Sequence, residues 1–165
     1  MEQVGFVEFV AARSRSLMRT AYLLTGDHQR SEDPVQATLT KVYLKWARVS
    51  RMDQPAAYAR RILVNEATRS RWWRASGELT GRLPETPADD ASERLATSSS
   101  VWNAVLRLPP RQRAVVVLRY YEDLSEAEIA DVLGIAPGTV KSTAHAATQR
   151  LAGALADLMT EGSTP

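Results

Sequence analysis

Cysteine is absent from this chain of 165 residues, and histidine occurs only twice, at His28 and His145. Without cysteine, the chain can form neither disulfides nor metal sites with thiolate ligands. The two histidines fall in different predicted domains, and the sequence contains neither a glycine-rich phosphate loop nor a paired metal-ligand motif. We therefore expect no metal, no cofactor and no enzymatic activity.

Long apolar runs and strand patterns are missing as well. No stretch approaches the roughly 20 apolar residues of a membrane span, and the amino-terminal segment MEQVGFVEFV lacks the basic start of a secretory signal. No segment has the alternating apolar pattern of a β-strand, and no internal repeat occurs. The sequence predicts a cytoplasmic, all-α protein without membrane insertion.

The net charge of +2 is unevenly distributed along the chain. Residues 1–75 carry 13 Lys and Arg against 7 Asp and Glu, residues 76–100 carry 2 against 5, and residues 101–165 carry 6 against 7. The middle segment is also poor in large apolar side chains, so it cannot form a core. We predict two small helical domains, 1–75 and 101–160, joined by a flexible acidic linker, 76–100. We expect the basic first domain to be the one that binds nucleic acid.

The first domain contains three amphipathic helical patterns. In the first, apolar residues recur at helical spacing up to Leu24, and Gly26 can end this helix. Pro34 leaves the start of the second helix open. This helix either begins at Pro34 with Asp33 as its cap, or begins at Asp27 and contains Pro34 as a kink.

Residues 47–54 interrupt the helical pattern, and Pro55 opens a third helix. One side of this helix is apolar, whereas the other carries arginines and an asparagine and leads to two adjacent tryptophans. Arginine neutralises phosphate and aromatic rings stack on unpaired bases, so this side is a candidate surface for separated DNA strands. The alternative is a solvated helix face whose tryptophans anchor the core. The candidate DNA-binding residues are Arg60, Arg61, Asn65, Arg69 and Arg71, next to Trp72, Trp73 and Arg74.

The second domain contains four predicted helices. An apolar pattern opens it, Pro109 and Pro110 interrupt that pattern, and RQRAVVVLRYY resumes it as a largely buried helix. The last two helices lie in the segment LSEAEIADVLGIAPGTVKSTAHAATQRL and are joined by a tight turn.

Local signals define the ends of these last two helices. Ser125 and Glu128 form a capping box, in which a hydroxyl and a carboxylate satisfy two free backbone N–H groups. Gly134 suits the left-handed conformation that ends a helix, and Pro137 suits the first position of the next one. Two crossing helices with the small residue Ala130 in the first are typical of the DNA-binding helix-turn-helix, whose second helix enters the major groove. The alternative is an ordinary helical hairpin.

The second helix of this pair carries few cations, so we expect that it does not hold DNA unaided. Positions off its buried apolar stripe face the groove. Lys141 can reach a guanine or a phosphate, and His145 is long enough to touch a base edge about one turn further on, although it can equally face solvent. The candidate base-reading residues are Gly138, Thr139, Lys141, Ser142 and His145.

Three blocks of the sequence resemble the extracytoplasmic-function (ECF) sigma factors of bacterial RNA polymerase, most closely their short actinobacterial type. The blocks are YLLTGDHQRSEDPVQATLTKVYLKW, AYARRILVNEATRSRWWR and LPPRQRAVVVLRYYEDLSEAEIADVLGIAPGTVKS. The resemblance implies a sigma factor that binds core RNA polymerase and directs promoter-specific transcription initiation. Its first domain would recognise and melt the −10 element of promoter DNA, and its second would read the −35 element. An anti-sigma factor is a further candidate partner.

The resemblance also implies roles for particular positions. The arginine-rich side of the third helix matches the −10 reader, and residues 47–54 match the segment that captures a flipped-out promoter base. The acidic linker matches a connector that runs through polymerase channels otherwise occupied by nucleic acid. The positions that match the docking site for core polymerase are Asp33, Gln36, Leu39 and Tyr43.

Three positions depart from the family's usual pattern. Pro34 replaces an aliphatic residue, Ala136 replaces the Ser or Thr that caps the recognition helix, and Ala146 replaces a common arginine. Loss of such a cap costs about 1 kcal/mol. These departures favour a second hypothesis, a degenerate sigma-like protein that binds polymerase or a partner without initiating transcription. A helix-turn-helix repressor is a third hypothesis, which would need a dimer interface and more cations.

Overall fold

The computed structural model describes residues 2–69 and 99–161, which belong to two separate units, Met1–Ala75 and Ser76–Pro165. All regular secondary structure in the described ranges is helical, which confirms the predicted all-α fold class. Most of the predicted linker lies outside the described residues, as do Arg71, Trp72, Trp73 and Arg74.

The first unit is built from α1 (Glu2–Thr25), α2 (His28–Leu44), the short α3 (Trp46–Val49) and α4 (Pro55–Arg69). The three long helices pack their apolar sides against one another. Complete burial of a Val or Leu side chain contributes roughly 1.5–3 kcal/mol, so this core determines which side of α4 is left for solvent. The buried residues of the core cluster are Leu17, Ala21, Val35, Val42, Val49, Ala59 and Leu63.

The junction of α1 and α2 settles the position of Pro34. Gly26 has a left-handed φ of 72° and follows the last residue of α1. The Asp27 carboxylate then accepts a hydrogen bond from the backbone N–H of Arg30 at 3.0 Å and caps α2. Because this cap starts the helix earlier, Pro34 lies inside α2, and the alternative in which Asp33 caps a helix beginning at Pro34 is wrong.

Pro34 should destabilise the first unit, because a proline inside a helix removes one backbone hydrogen bond and crowds the preceding turn. We expect Pro34→Ala to raise the free energy of unfolding by roughly 1–3 kcal/mol in urea denaturation of the full chain. Pro55→Ala is the matched control, since Pro55 occupies the first position of α4, where proline is tolerated. Equal effects of the two substitutions would show that Pro34 carries no special strain.

Helix α3 occupies the beginning of the segment predicted to interrupt the helical pattern, so that prediction was wrong at this point. The Trp46 ring lies 5.5 Å from the ring of Phe6 and 5.3 Å from that of Phe9, and Val49 is fully buried. These contacts with α1 hold one helical turn in place that local sequence signals do not indicate. Turns and bends then lead from Ser50 to the start of α4.

The second unit contains α5 (Ser99–Leu106), α6 (Pro110–Val116), a π-helical turn (Val117–Tyr121), α7 (Glu126–Leu133) and α8 (Pro137–Glu161). The four predicted helices are therefore present, with a break before Pro110 as expected. The first of them starts at the end of the segment predicted as linker.

The predicted burial of RQRAVVVLRYY holds for residues 113–118 and fails at its end, where Tyr120 is 62% exposed. Arg113 itself is buried, and its Nη1 atom donates a hydrogen bond to the carbonyl of Leu106 at 2.9 Å. The helix ends in the π-helical turn, and Asp123, two residues beyond it, has a left-handed φ of 54°. The fully buried residues that form this core include Ala114, Val117, Leu118, Ile129, Val140 and Ala147.

Candidate nucleic-acid interface

Arg61, Asn65 and Arg69 lie on the side of α4 that points away from the core of the first unit. Arg60 lies nine residues before Arg69, which is half a turn around the helix, and is next to the buried Val64. Arg61 and Arg69 are exposed, whereas Arg60 and Asn65 are half-buried. The remaining side of α4 carries its buried residues, which are Ala59, Leu63, Val64 and Ala67. The four predicted residues that the structure describes thus share one helix, and its apolar packing fixes their direction.

An ion-pair cluster crosses from α2 to this side of α4. The Glu66 carboxylate pairs with the Lys41 ammonium group, and its Oε1 atom lies 3.8 Å from Nη1 of Arg69. Sequence reasoning missed both Lys41 and Glu66 as members of the site. They are far apart in the chain, and neither belongs to a local motif, so only the packing of α2 on α4 brings them together.

The helix-turn-helix forms with the predicted local geometry. The Ser125 hydroxyl accepts from the backbone N–H of Glu128 at 3.2 Å, and the Glu128 carboxylate accepts from the backbone N–H of Ser125 at 2.8 Å. Gly134 ends α7 with a φ of 66°, and α8 begins at Pro137. Ile129 is completely buried on α7, so the two helices are joined through a packed interface as well as a turn.

The five predicted base-reading positions of α8 are all exposed, while the apolar stripe of Val140, Ala144 and Ala147 is buried. A shallow open groove runs beside these positions. The Ser142 hydroxyl donates to the carbonyl of Thr139 at 3.1 Å, which leaves its oxygen free to accept a further bond. The groove is lined by Arg119, Tyr120, Glu126, Gly138, Lys141, Ser142, Ala144, His145 and Thr148.

Arg119 and Tyr120 are groove residues that sequence reasoning missed. The Arg119 guanidinium lies 5.7 Å from the centre of the Tyr120 ring, and its Nη1 atom donates to Oε1 of Glu126 at 3.3 Å. Their sequence context, a run of valines, indicated a buried helix. The π-helical turn that contains both residues gave no recognisable sequence signal, although it lies directly before the helix-turn-helix.

The predicted docking residues for core polymerase lie along α2. Asp33 and Gln36 are exposed, and Tyr43 is 48% exposed with its ring 5.0 Å from that of Phe6. Leu39 is half-buried and packs against the core cluster of the first unit. The helix therefore presents the two polar residues and the tyrosine to solvent, while Leu39 contributes more to the core.

Comparison with known proteins links these two units to one family. Sequence profiles for sigma-70 region 2 and sigma-70 region 4 match residues 9–77 and 89–151. The chain is 40% identical to the RNA polymerase sigma-E factor of Streptomyces coelicolor over 153 residues, which cover 91% of this chain and 85% of that protein. It is 33% identical to the ECF RNA polymerase sigma factor SigL of Mycobacterium tuberculosis, over 82% of this chain and 80% of SigL. The chain belongs to the ECF sigma factors.

A solved structure agrees with this assignment. The sigma factor RpoE of Bartonella quintana, crystallised in complex with the anti-sigma factor NepR, matches with a TM-score of 0.65 and 26% identity. The match covers 92% of this chain and 96% of RpoE. The protein is thus a promoter-directing sigma factor whose partners are core RNA polymerase and promoter DNA, and members of its family are transcription initiation factors.

Two further observations concern the part of the chain that the structure describes. None of its helices combines the length and the apolar character needed to cross a membrane. Within residues 2–69 and 99–161, no group of three or more His, Asp or Glu side chains is arranged to hold a metal ion.

Proposed function

We propose that this sigma factor melts and reads the −10 element with the arginine side of α4 and reads the −35 element with the exposed side of α8. These two roles fall to the two domains predicted from the sequence, 1–75 and 101–160, and residues 76–100 are the acidic linker that joins them. The observation that carries the proposal is the exposure of all five base-reading positions of α8 opposite its buried stripe. Arg71, which lies outside the described residues, remains a predicted member of the −10 surface.

Docking on core polymerase is assigned to α2. Its exposed Asp33, Gln36 and Tyr43 would make the contacts. Leu39 would hold α2 in place by packing against the core cluster of the first unit. Because the partner enzyme works in the cytoplasm, we place the protein there, and we assign it no catalytic activity of its own. An anti-sigma factor is the further partner that we propose, since the related RpoE was crystallised with one.

The second unit offers little positive charge to DNA. In the groove beside α8, Lys141 and Arg119 are the lining residues with permanent positive charge, and Arg119 already pairs with Glu126. A protein gains salt-sensitive affinity for each phosphate that it neutralises, so this surface gains little by itself. Tethering by core polymerase and the first unit would raise its effective concentration at the promoter.

Lys141 is the residue whose loss best tests the −35 assignment. If it reads a base, Lys141→Ala should cost about 1–3 kcal/mol against one preferred base and relax selection at that position. If it holds a phosphate, the same change should weaken all sequences equally. Selection of −35 variants from a randomised promoter library by polymerase carrying either protein separates the two results.

Arg150→Ala is the matched control, because it removes the same charge about two and a half turns further along α8, on the opposite side of the helix. We expect this variant to retain the wild-type preference. If Lys141→Ala also retained wild-type preference and affinity, Lys141 would not belong to the site.

A further inference from the structure

Glu66 is the only acidic residue of α4, and its carboxylate lies among the cations that we assign to DNA. It pairs with Lys41 of α2 and lies near Arg69 on its own helix. The Glu66 side chain is only 16% exposed, compared with 43% for Lys41 and 72% for Arg69. One largely shielded carboxylate therefore engages a cation from each of two helices.

We propose that Glu66 limits the affinity of the α4 surface for single-stranded DNA by occupying Lys41 and Arg69. The inference rests on the proposed function of α4 as the −10 surface. A bound strand gains less from a cation that must first leave a carboxylate, so phosphate contacts contribute less to affinity. Contacts with the bases then supply a larger share, which favours the correct −10 sequence over other single strands.

The ion pairs of Glu66 with Lys41 and with Arg69 differ in how easily a DNA phosphate can replace the carboxylate. Arg69 is mostly exposed and lies 3.8 Å from Glu66, so water and salt screen this interaction strongly. Lys41 makes the closer contact, and its partner is shielded from solvent. Release of Arg69 by a DNA strand therefore costs less than release of Lys41, and only removal of the Glu66 carboxylate frees both cations fully.

A purely structural role of Glu66, as a link between α2 and α4, makes a different prediction. Loss of the carboxylate would then lower the stability of the first unit without adding phosphate contacts. The salt dependence of DNA affinity distinguishes the two roles, because its logarithmic slope changes by about 0.7 for each phosphate contact with a single strand.

The test compares Glu66→Gln with the wild type and with Glu8→Gln in the full chain. Glu8 is exposed on α1, so its substitution removes the same charge from a different surface. The probe is a fluorescent single-stranded oligonucleotide of random sequence, about 12 nucleotides long, titrated by anisotropy between about 50 and 200 mM salt. We expect Glu66→Gln to bind roughly two- to fivefold more tightly at low salt and to steepen the slope by about 0.7 to 1.4. Glu8→Gln should match the wild type.

A slope for Glu66→Gln equal to that of the wild type or of Glu8→Gln would overturn the proposal. If Glu66→Gln does not fold, as a thermal melt would show, the double variant Lys41→Gln/Glu66→Gln is compared with Lys41→Gln. The double variant should still have the steeper slope, because it releases Arg69, and equal slopes would likewise refute the role of Glu66.

The same probe separates this inference from the proposed function of α4. Undiminished strand binding after replacement of Arg60, Arg61 and Arg69 would refute the DNA surface itself. Loss of binding in that triple variant, together with an unchanged slope in Glu66→Gln, would refute only the role of Glu66.

Discussion

Simultaneous replacement of Arg60, Arg61 and Arg69 by alanine should abolish formation of the open promoter complex, even at low salt. These three arginines are the cations of α4, and Arg61 and Arg69 are exposed. Loss of two phosphate contacts, or of three where DNA displaces Glu66 from Arg69, should also make the logarithmic salt dependence of single-strand binding shallower by about 1.4 to 2.1. Permanganate footprinting of promoter complexes with the reconstituted holoenzyme measures the melting directly.

The matched control replaces Arg13, Arg15 and Arg19, three exposed arginines of α1, and changes the net charge by the same amount. Its promoter complexes should melt as those of the wild type do. A melted −10 region in the α4 triple variant, or equal losses in the two triple variants, would show that α4 is not the melting surface.

Ile129→Ala should destabilise the second unit by about 2–5 kcal/mol, because Ile129 is completely buried where α7 packs in the helix-turn-helix. The truncated side chain leaves a cavity in the core of the second unit. Transcription from promoters that depend on the −35 element should fall accordingly. Urea denaturation followed by circular dichroism measures the change in stability.

Met159→Ala provides the comparison for Ile129→Ala, since Met159 lies on α8 and is 79% exposed. Surface truncations of this kind usually change stability by less than about 0.5 kcal/mol. Similar losses in both variants would mean that the packing of α7 does not support the recognition helix as described.

The helix-turn-helix was predictable from the sequence because its signals are local. A capping box needs only two residues three positions apart, and both hydrogen bonds between Ser125 and Glu128 are present. Gly134 and Pro137 likewise act within their own turns. The exposed positions of α8 then followed from helical periodicity once its start was known.

The parts that the sequence did not predict depend on contacts between distant residues. Helix α3 needs the aromatic rings of α1, and the pairing of Lys41 with Glu66 needs α2 to pack on α4. The exposure of Tyr120 needs the π-helical turn, for which the run of valines gives no local signal. Tertiary packing decided each of these features, and helical periodicity carries no information about it.

The place of Pro34 within its helix was likewise not decided by the sequence alone. Proline fits both the first turn and, at a cost, the interior of a helix, so the residue alone left two alternatives. The cap made by Asp27 decided between them. Because α2 continues through Pro34, this departure from the family's pattern leaves Asp33, Gln36 and Tyr43 on one uninterrupted helix.

Run-off transcription with purified core polymerase on a library of promoter fragments shows whether this chain directs promoter-specific initiation. We expect specific transcripts that require the full chain and disappear in the Arg60, Arg61 and Arg69 triple variant. Tight binding to core polymerase without any specific transcript would contradict this expectation and would favour a degenerate sigma-like protein.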